Sequence, residues 1–252
     1  MQNPAIDDLS RTLETLAEAV NYRDWLHAVT LPWLGRRVLD VGAGMGTMTD
    51  AIRDRELVVA LEPEAGYAAL LRARYRDEPQ VQVWEMGATD PAVSERAREL
   101  AIDSAMSFNV FEHIEDDEAA FRVVHDALPA GGRFVCFVPA FPVLYGEMDR
   151  ALGHFRRYRR AELAAKAVAA GFAVERLHYL NLPGFFAWWA NGRLLRSRGV
   201  SGGGRALKIY DSTVIRLTRS LEQGRTPPFG QSLLLIARRP SAAQAENSSS
   251  TE

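Results

Sequence analysis

The sequence lacks most of the features that mark a secreted, membrane-spanning or nucleic-acid-binding protein. It has one cysteine, Cys136, which excludes an intrachain disulfide framework and a zinc site built from several cysteines. No apolar run is long enough to cross a bilayer. The formal net charge of -2 gives the chain no overall attraction to nucleic acid or anionic membranes. The first residues, MQNPAIDDLS, are polar and acidic, unlike a secretory leader, so we expect a cytoplasmic protein.

What is present is the composition of an ordinary globular protein, with 47% hydrophobic and 25% charged residues. Short apolar runs, predicted as strands, alternate with segments of helical periodicity. The predicted strands lie at residues 38–41, 57–61, 81–84, 102–108, 133–138, 173–178 and 232–237. This alternation predicts an α/β fold, with a largely parallel sheet covered by helices on both faces.

The chain is predicted to have five parts. Leu9, Leu13 and Leu16 recur at helical spacing near the start. A later stretch with two aromatic pairs and three consecutive glycines is too long for a plain connection. We read it as a helical insertion that either caps the site or makes a subunit interface, which leaves a homo-oligomer open. The predicted parts are a helical cap, the α/β core, the insertion, the last strand of the core and a disordered tail, at residues 1–34, 35–180, 181–230, 231–239 and 240–252.

One stretch carries a recognisable binding pattern. Residues 37–49 read RVLDVGAGMGTMT, an apolar run that meets three glycines, and residues 48–55 are predicted to be helical. Glycine at positive φ lets a ligand approach the backbone, and a helix start offers unpaired N–H groups. Glu62, at the end of the next apolar run, stands where an acid holds ribose hydroxyls. Asp40 would repel a pyrophosphate, which disfavours a dinucleotide and suits a cationic amino-acid end.

The segment VLDVGAGMG, followed by Glu62, resembles the first motif and ribose acid of the class I S-adenosylmethionine-dependent methyltransferases. The resemblance covers residues 25–171. It implies a Rossmann-like three-layer sandwich, with a mostly parallel seven-stranded sheet and an antiparallel last strand. It also implies the cofactor S-adenosyl-L-methionine and methyl transfer to a small molecule. Two alternatives stay open: an enzyme that uses the cofactor for cyclisation or alkyl transfer, and a non-catalytic partner protein of the same fold.

The resemblance also assigns parts of the cofactor to residues. The glycine turn with Asp40 would hold the methionine part, Glu62 the ribose, and Asn109 the region near the sulfur. Ala88 replaces an aspartate that often contacts adenine, so backbone groups are expected to hold that ring. An aromatic residue near the N-terminal helix often touches the cofactor, although Tyr22 could equally be an ordinary amphipathic residue. The expected cofactor residues are Tyr22, Asp40, Gly42, Ala43, Gly44, Gly46, Glu62, Gly87, Ala88, Asn109 and Val110.

The fourth predicted strand ends in SFNVFEHI, which resembles the fourth motif of the same family. Glu112 and His113 are predicted to open the next helix, either as a capped helix start or as a base or metal site. Some related methyltransferases bind a divalent metal through an acid-x-x-Glu-His run. Here Asn109 replaces the first acid, and an amide is a weaker ligand for a hard cation. We therefore expect no metal.

The segment after the fifth strand, LYGEMDRALGHFRRYRR, resembles an LYG–GH–RRY stretch of one methyltransferase subgroup. It follows a strand end and therefore lies on the binding side of the sheet. An acceptor that is a hydroxyl or an acidic carbon needs a base within hydrogen-bond reach. The candidates, in order, are His154, Tyr145 and His113.

The same segment is rich in arginine. Guanidinium groups suit carboxylate and phosphate, so Arg156, Arg157 and Tyr158 are expected to contact a small anionic substrate. The alternative is structural pairing of the arginines with Asp149 or Glu147. One short basic cluster does not form the extended surface that tracks nucleic-acid phosphates, so we expect no nucleic-acid partner.

Overall fold

A computed structural model describes residues 19–190, 210–222 and 226–241 of the chain. The strands are β1 (Arg37–Val41), β2 (Leu57–Leu61), β3 (Val81–Trp84), β4 (Ser104–Phe108), β5 (Arg133–Pro139), β6 (Ala173–Leu180) and β7 (Ser232–Arg238). The α-helices are α1 (Val20–Thr30), α2 (Ala65–Arg74), α3 (Pro91–Glu99), α4 (Asp117–Ala127), α5 (Glu147–Ala151), α6 (Arg160–Ala169), α7 (Leu182–Ala190) and α8 (Arg216–Glu222). Short 3₁₀ turns lie at Leu31–Trp33, Thr49–Ala51, Phe111–His113 and Pro142–Leu144, and Tyr210–Ile215 is π-helical.

The strands form one sheet in the order β3-β2-β1-β4-β5-β7-β6. Neighbouring strands from β3 to β5 are parallel, whereas β7 runs antiparallel to both β5 and β6. This confirms the predicted α/β fold with its antiparallel last strand. After β1, the chain adds β2 and β3 on one side of that strand and then β4 and β5 on the other. The switch point of the sheet therefore lies between β1 and β4. Ligands of open α/β sheets bind at the carboxyl ends of the strands near such a point.

Burial of both faces explains the strand composition. All five residues of β2 are buried, because helices cover the sheet on both sides. Alternate residues of β1 enter different cores: Leu39 packs in one cluster and Val38 in the other. Cys136 is fully buried in β5, as predicted for a core residue. With both faces closed, polar chemistry is displaced to the edges of the sheet.

The helix predicted at residues 48–55 is wrong, because the structure has only the 3₁₀ turn Thr49–Ala51 there. In this stretch only Thr49 and Ile52 are buried. A helix with so narrow a buried face gains little from packing. The carboxylate of Asp50 instead accepts a hydrogen bond from the Tyr75 hydroxyl at 2.8 Å, which ties the turn to the end of α2.

Within residues 181–230, predicted as a helical insertion, the described helical segments are α7, Tyr210–Ile215 and α8, and residues 226–230 are not helical. Residues 1–18, most of the predicted cap, lie outside the described residues, as do 191–209, 223–225 and 242–252 of the insertion and tail. Among the described helices, none has the length and apolar character that crossing a membrane requires.

One buried carboxylate joins α1 to the insertion. Asp211 accepts hydrogen bonds from the backbone N–H groups of Asn21 and Tyr22, at 3.0 and 2.9 Å, and from the Asn21 side chain at 2.8 Å. The first N–H groups of a helix have no partner within the helix. Asp211 therefore caps α1 from a segment that is distant in sequence.

We predict that Asp211→Ala lowers the free energy of unfolding by about 2 kcal/mol, because three hydrogen bonds to a charged acceptor are lost. Limited proteolysis should also cut within α1 faster. Asp24→Ala is the control: this residue lies on α1 but is exposed, so its effect should stay within about 0.5 kcal/mol. Urea unfolding of both variants measures the difference, and equal effects would contradict the capping role.

Candidate active site

The glycine turn after β1 has the left-handed backbone that its sequence predicts. Gly42, Gly44 and Gly46 have φ values of 76°, 55° and 86°. A Cβ on Gly42 would lie 2.4 Å from a methyl group of Val110, and one on Gly46 would lie 2.6 Å from the Tyr75 hydroxyl. A Cβ on Gly44 would instead meet open space. At Gly42 and Gly46 a side chain would therefore clash with the protein itself, whereas Gly44 leaves the backbone open to a ligand.

Hydrogen bonds hold this turn against the end of β2. The N–H groups of Gly42 and Ala43 donate to the carbonyl of Leu61, at 2.8 and 3.0 Å. The next residue of β2's exit, Glu62, accepts hydrogen bonds from the N–H groups of Gly44 at 2.8 Å and Glu64 at 3.0 Å. Burial raises the pKa of Glu62, and these two donors oppose the shift. The predicted ribose acid therefore lies directly beside the open glycine.

Asp40 lies beneath the turn at the end of β1. Its carboxylate accepts a hydrogen bond from the Thr49 hydroxyl at 2.6 Å. Burial raises the pKa of Asp40 to about 7, the Thr49 hydrogen bond opposes this, and the Glu62 charge adds to it. Two acids with raised pKa values next to an open backbone approach would bind a cationic group better than an anionic one.

The exits of β3 and β4 complete this edge of the sheet. A Cβ on Gly87 would meet open space, and Ala88 is half-buried. Asn109 is exposed and has a φ of 52°, while its N–H donates to the carbonyl of Phe137 at 2.8 Å. The side chain of Val110 packs on Gly42. The expected cofactor residues from Asp40 to Val110 therefore lie at the exits of four adjacent strands.

Tyr22 lies elsewhere. Its ring packs edge-on against Trp25, with centroids 6.0 Å apart, and its N–H donates to Asp211. Burial raises the pKa of its hydroxyl, which is hydrogen-bonded to the side chain of Ser232. Ser232 begins β7, which is three places from β1 in the sheet. A contact between Tyr22 and the cofactor stays a prediction.

A second polar group follows β4. Glu112 is 0% exposed, and neither carboxylate oxygen has a hydrogen-bond partner among the described residues. Burial raises the pKa of Glu112 to about 8, against the smaller effects of its own backbone N–H group and of the Arg157 charge. The prediction that Glu112 and His113 open the next helix is wrong. They lie in the 3₁₀ turn, and α4 begins at Asp117, where Asp116 supplies the N-cap.

The structure brings the three predicted catalytic residues together. His154 places Nδ1 2.9 Å from Asp149 Oδ1 and Nε2 4.0 Å from Glu112 Oε1. The His113 ring stands perpendicular to that of His154, with centroids 4.5 Å apart. Burial and the nearby His154 lower the pKa of His113 to about 4. The Tyr145 hydroxyl donates to the His154 carbonyl at 2.6 Å, so it orients this loop.

Asp149 is the centre of a buried ion-pair network. Besides His154, it accepts a hydrogen bond from Arg157 Nε at 2.7 Å and from the N–H of Gly146 at 2.9 Å. Burial alone would raise the pKa of Asp149, but the His154 hydrogen bond and the Arg157 charge outweigh it and lower the pKa. The Arg157 guanidinium also lies over the Trp188 ring, 4.6 Å from its centroid.

The structure thus pairs Arg157 with Asp149, the alternative left open by the sequence. Arg156 pairs with Asp117 at 2.5 Å, but 24% of its side chain stays exposed. The hydroxyl of Tyr158, which is fully buried, donates to the other oxygen of Asp117 at 2.7 Å. Substrate contacts of these three residues stay predictions, and Arg156 is the most accessible of them.

Sequence reasoning missed two residues that shape this site. The sequence marks Asp149 as a group able to accept protons or to pair with arginine, but its hydrogen bond to His154 has no separate signal there. Trp188 belongs to α7, within the stretch that the sequence predicts as a cap or a subunit interface. Its position over Arg157 depends on how α7 packs at the exit of β5, and no local pattern indicates that packing.

Comparison with known proteins agrees with this geometry. A family model described as a methyltransferase domain matches residues 39–134, which include the glycine turn, Glu62 and the exit of β4. No curated protein sequence matches the chain significantly.

Three solved structures show the same fold. An S-adenosylmethionine-dependent methyltransferase from Mesorhizobium loti is 19% identical, with 85% of this chain and 95% of that chain covered and a TM-score of 0.55. The [4+2]-cyclase SpnF is 19% identical, with 87% and 80% covered and a TM-score of 0.54. A chain from the complex of the Haloferax volcanii Trm112 methyltransferase activator with a candidate methyltransferase is 17% identical, with 82% and 84% covered and a TM-score of 0.56.

At these identities the solved structures show the fold alone. Over residues 39–134 the chain matches the methyltransferase domain model, and the solved structures add the shared fold. The narrower likeness to the subgroup with an LYG–GH–RRY stretch stays a prediction.

We predict that Asp149→Ala lowers the free energy of unfolding by about 3–5 kcal/mol, because it leaves the buried Arg157 charge without its partner. Glu147→Ala is the matched control on the same helix. It removes an exposed ion pair with Arg150, which should cost less than about 1 kcal/mol. Urea unfolding compares the two, and a small loss for Asp149→Ala would mean that Arg157 is stabilised by other groups.

Proposed function

We propose that this protein is an S-adenosylmethionine-dependent methyltransferase that acts on a small molecule. The observation that carries the proposal is the open backbone of Gly44 between two buried acids, Asp40 and Glu62, beside the switch point of the sheet. This arrangement offers hydrogen-bond acceptors for a ribose and negative charge for an ammonium group. Arg74, whose guanidinium reaches the Met45 carbonyl of the turn at 3.4 Å, is already paired with Asp50 and does not offset the two acids.

The residues present fit the cofactor. Glu62 would hold the ribose hydroxyls, Asp40 and the glycine turn the methionine part, and the backbone of Gly87 and Ala88 the adenine. When bound, S-adenosylmethionine supplies an activated methyl group on a sulfonium. The exposed Asn109, whose left-handed backbone turns the chain at the exit of β4, would lie near that group. The protein then contributes position and electrostatics, and good alignment of acceptor and methyl can be worth about 7–11 kcal/mol.

The acceptor would meet the cluster of His154, His113 and Glu112. His154 is the first candidate for a base, because its Nδ1 is bonded to the ionised Asp149, which leaves Nε2 able to take a proton. The low pKa of His113 makes it a poor base near neutral pH. Arg156, with part of its side chain exposed, is the candidate for an anionic group on the acceptor. The proposed acceptor is therefore a small molecule with an acidic O–H, N–H or C–H group.

One neighbour of the same fold is a [4+2]-cyclase, so cofactor binding alone does not establish methylation. Product analysis separates the options. Methyl transfer releases S-adenosylhomocysteine, and transfer of the other carbon chain on the sulfonium releases methylthioadenosine. A chain that binds neither S-adenosylmethionine nor S-adenosylhomocysteine would instead be a non-catalytic partner of the same fold.

We predict that Gly44→Val weakens binding of S-adenosylmethionine by at least about tenfold, since the new side chain occupies the open approach. Calorimetric titration measures the affinity. Gly131→Val is the control: Gly131 also has a positive φ and open space around its Cβ position, but it precedes β5 at the opposite edge of the sheet. Both variants carry similar backbone strain, so equal loss of binding would place the cofactor elsewhere.

We also predict that cofactor binding near neutral pH releases a proton. The cationic end of the cofactor favours ionised Asp40, whose pKa of about 7 would fall on binding. The affinity should therefore rise from about pH 6 to about pH 7.5. Calorimetry in buffers of different ionisation enthalpy counts the protons released. Asp40→Asn should abolish both the release and the pH dependence; if both persist, another group is responsible.

A further inference from the structure

Glu112 lies in the cluster that the acceptor would meet, but the proposed methyl transfer assigns no step to its carboxylate. Its side chain is fully buried, and both carboxylate oxygens are unpartnered among the described residues. An unsatisfied buried polar group destabilises the fold, and does so more when it is charged. Such a group in a folded protein calls for a specific explanation, such as a water or an ion.

The surroundings of Glu112 are those of a cation site. One ligand atom each from Glu112, His113 and His154 lies within 4.8 Å of the others. Asp149 binds Nδ1 of His154, so Nε2 carries the free lone pair and faces the Glu112 carboxylate at 4.0 Å. Two acceptors that face each other in a buried site are stabilised by a cation between them.

Arg157, the cationic side chain whose charge acts on Glu112, is hydrogen-bonded to other groups. Arg157 donates from Nε to Asp149 and from a terminal nitrogen to the carbonyl of Ala140 at 3.3 Å, and its face is covered by Trp188. It moderates the charge of Glu112 from a distance, but none of its described hydrogen bonds reaches the Glu112 oxygens.

We propose that Glu112, His113 and His154 bind a divalent first-row transition metal ion, such as Zn²⁺ or Mn²⁺. Two imidazoles and one carboxylate suit Zn²⁺ best, and the carboxylate also suits Mn²⁺, whereas Mg²⁺ and Ca²⁺ prefer oxygen ligands throughout. Asp149 is the outer carboxylate that typically orients a metal-binding histidine. Binding requires the three ligand atoms to approach to about 3.3 Å of one another, the spacing of a tetrahedral zinc site.

The backbone already joins the two segments that carry these ligands. The N–H of Phe155, next to His154, donates to the carbonyl of Glu112 at 2.7 Å. The expectation that no metal binds was based on Asn109, which replaces an acid in the local run. The structure places the imidazole of His154, from the far side of β5, where it can act as the third ligand.

The role of the metal rests on the proposed function. Three protein ligands leave coordination positions open, and an acceptor hydroxyl bound there would have a lowered pKa. The ion would then take over the task otherwise assigned to His154. The site lies near the glycine turn, because Val110, two residues before Glu112, packs on Gly42.

Calorimetric titration of tag-free, chelator-treated protein with Zn²⁺ alone, then with Mn²⁺ alone, tests the site. The expected result is one ion per chain, with Kd at least tenfold higher in Glu112→Gln and in His113→Gln. His27→Gln is the control, since this half-buried histidine lies on α1, away from the cluster; its Kd should be unchanged.

Thermal unfolding of the same samples separates a metal ligand from a structural carboxylate. Zn²⁺ should raise the Tm of the original protein and of His27→Gln, but not of Glu112→Gln, whose metal-free Tm should be no lower than that of the original. Equal zinc affinity in all variants, or no binding by the original protein, would overturn the proposal. If Glu112→Gln fails to fold, the same measurements on His113→Gln, a change at a partly exposed residue, test the proposal. Titration with S-adenosylmethionine on the same samples tests the proposed function separately, because neither binding measurement requires the other ligand.

Discussion

The parallel part of the sheet, whose central strands are buried on both faces, is the constraint on which the rest of this structure depends. The strands β1, β2, β4 and β5 are almost fully buried, whereas the edge strand β6 exposes Glu175 and Arg176. The centre of the sheet therefore leaves little room for polar chemistry. The polar residues of the site accordingly follow the strands rather than lie within them. Asp40 is the exception, and it sits one residue from the end of β1, where the Thr49 hydroxyl satisfies its carboxylate.

The balance of buried charge indicates whether the site favours cationic or anionic ligands. The fully or nearly buried charged side chains of the described residues comprise several acids and one arginine: Asp40, Glu62, Glu112, Asp117, Asp149, Asp211 and Arg157. Asp149 and Asp117 are neutralised by basic partners, and Asp211 caps a helix. Asp40, Glu62 and Glu112 have no such partner, and all three have raised pKa values. An excess of buried negative charge favours cationic ligands at both the glycine turn and the Glu112 cluster.

The fold and the glycine turn could be predicted because their determinants are local. Apolar runs between helical segments indicate parallel strands, and glycines at positive φ need no distant partner to be recognised. The same local reasoning failed at residues 48–55. Their composition is compatible with a helix, but too little of the segment is buried for packing to stabilise one. It also placed Glu112 and His113 at a helix start, although Asp116 caps that helix.

The sequence by itself determined which strands are buried. It also determined which strand ends are followed by glycines, acids and histidines. Only the tertiary structure decided which of these side chains meet. His154 reaches Glu112 because β4 and β5 are neighbours in the sheet and a backbone hydrogen bond joins the loops that follow them. Arg157 turns away from solvent because Asp149 and Trp188 enclose it. Such encounters depend on strand pairing and helix packing between residues far apart in the chain, and these are set by the whole core rather than by any local pattern.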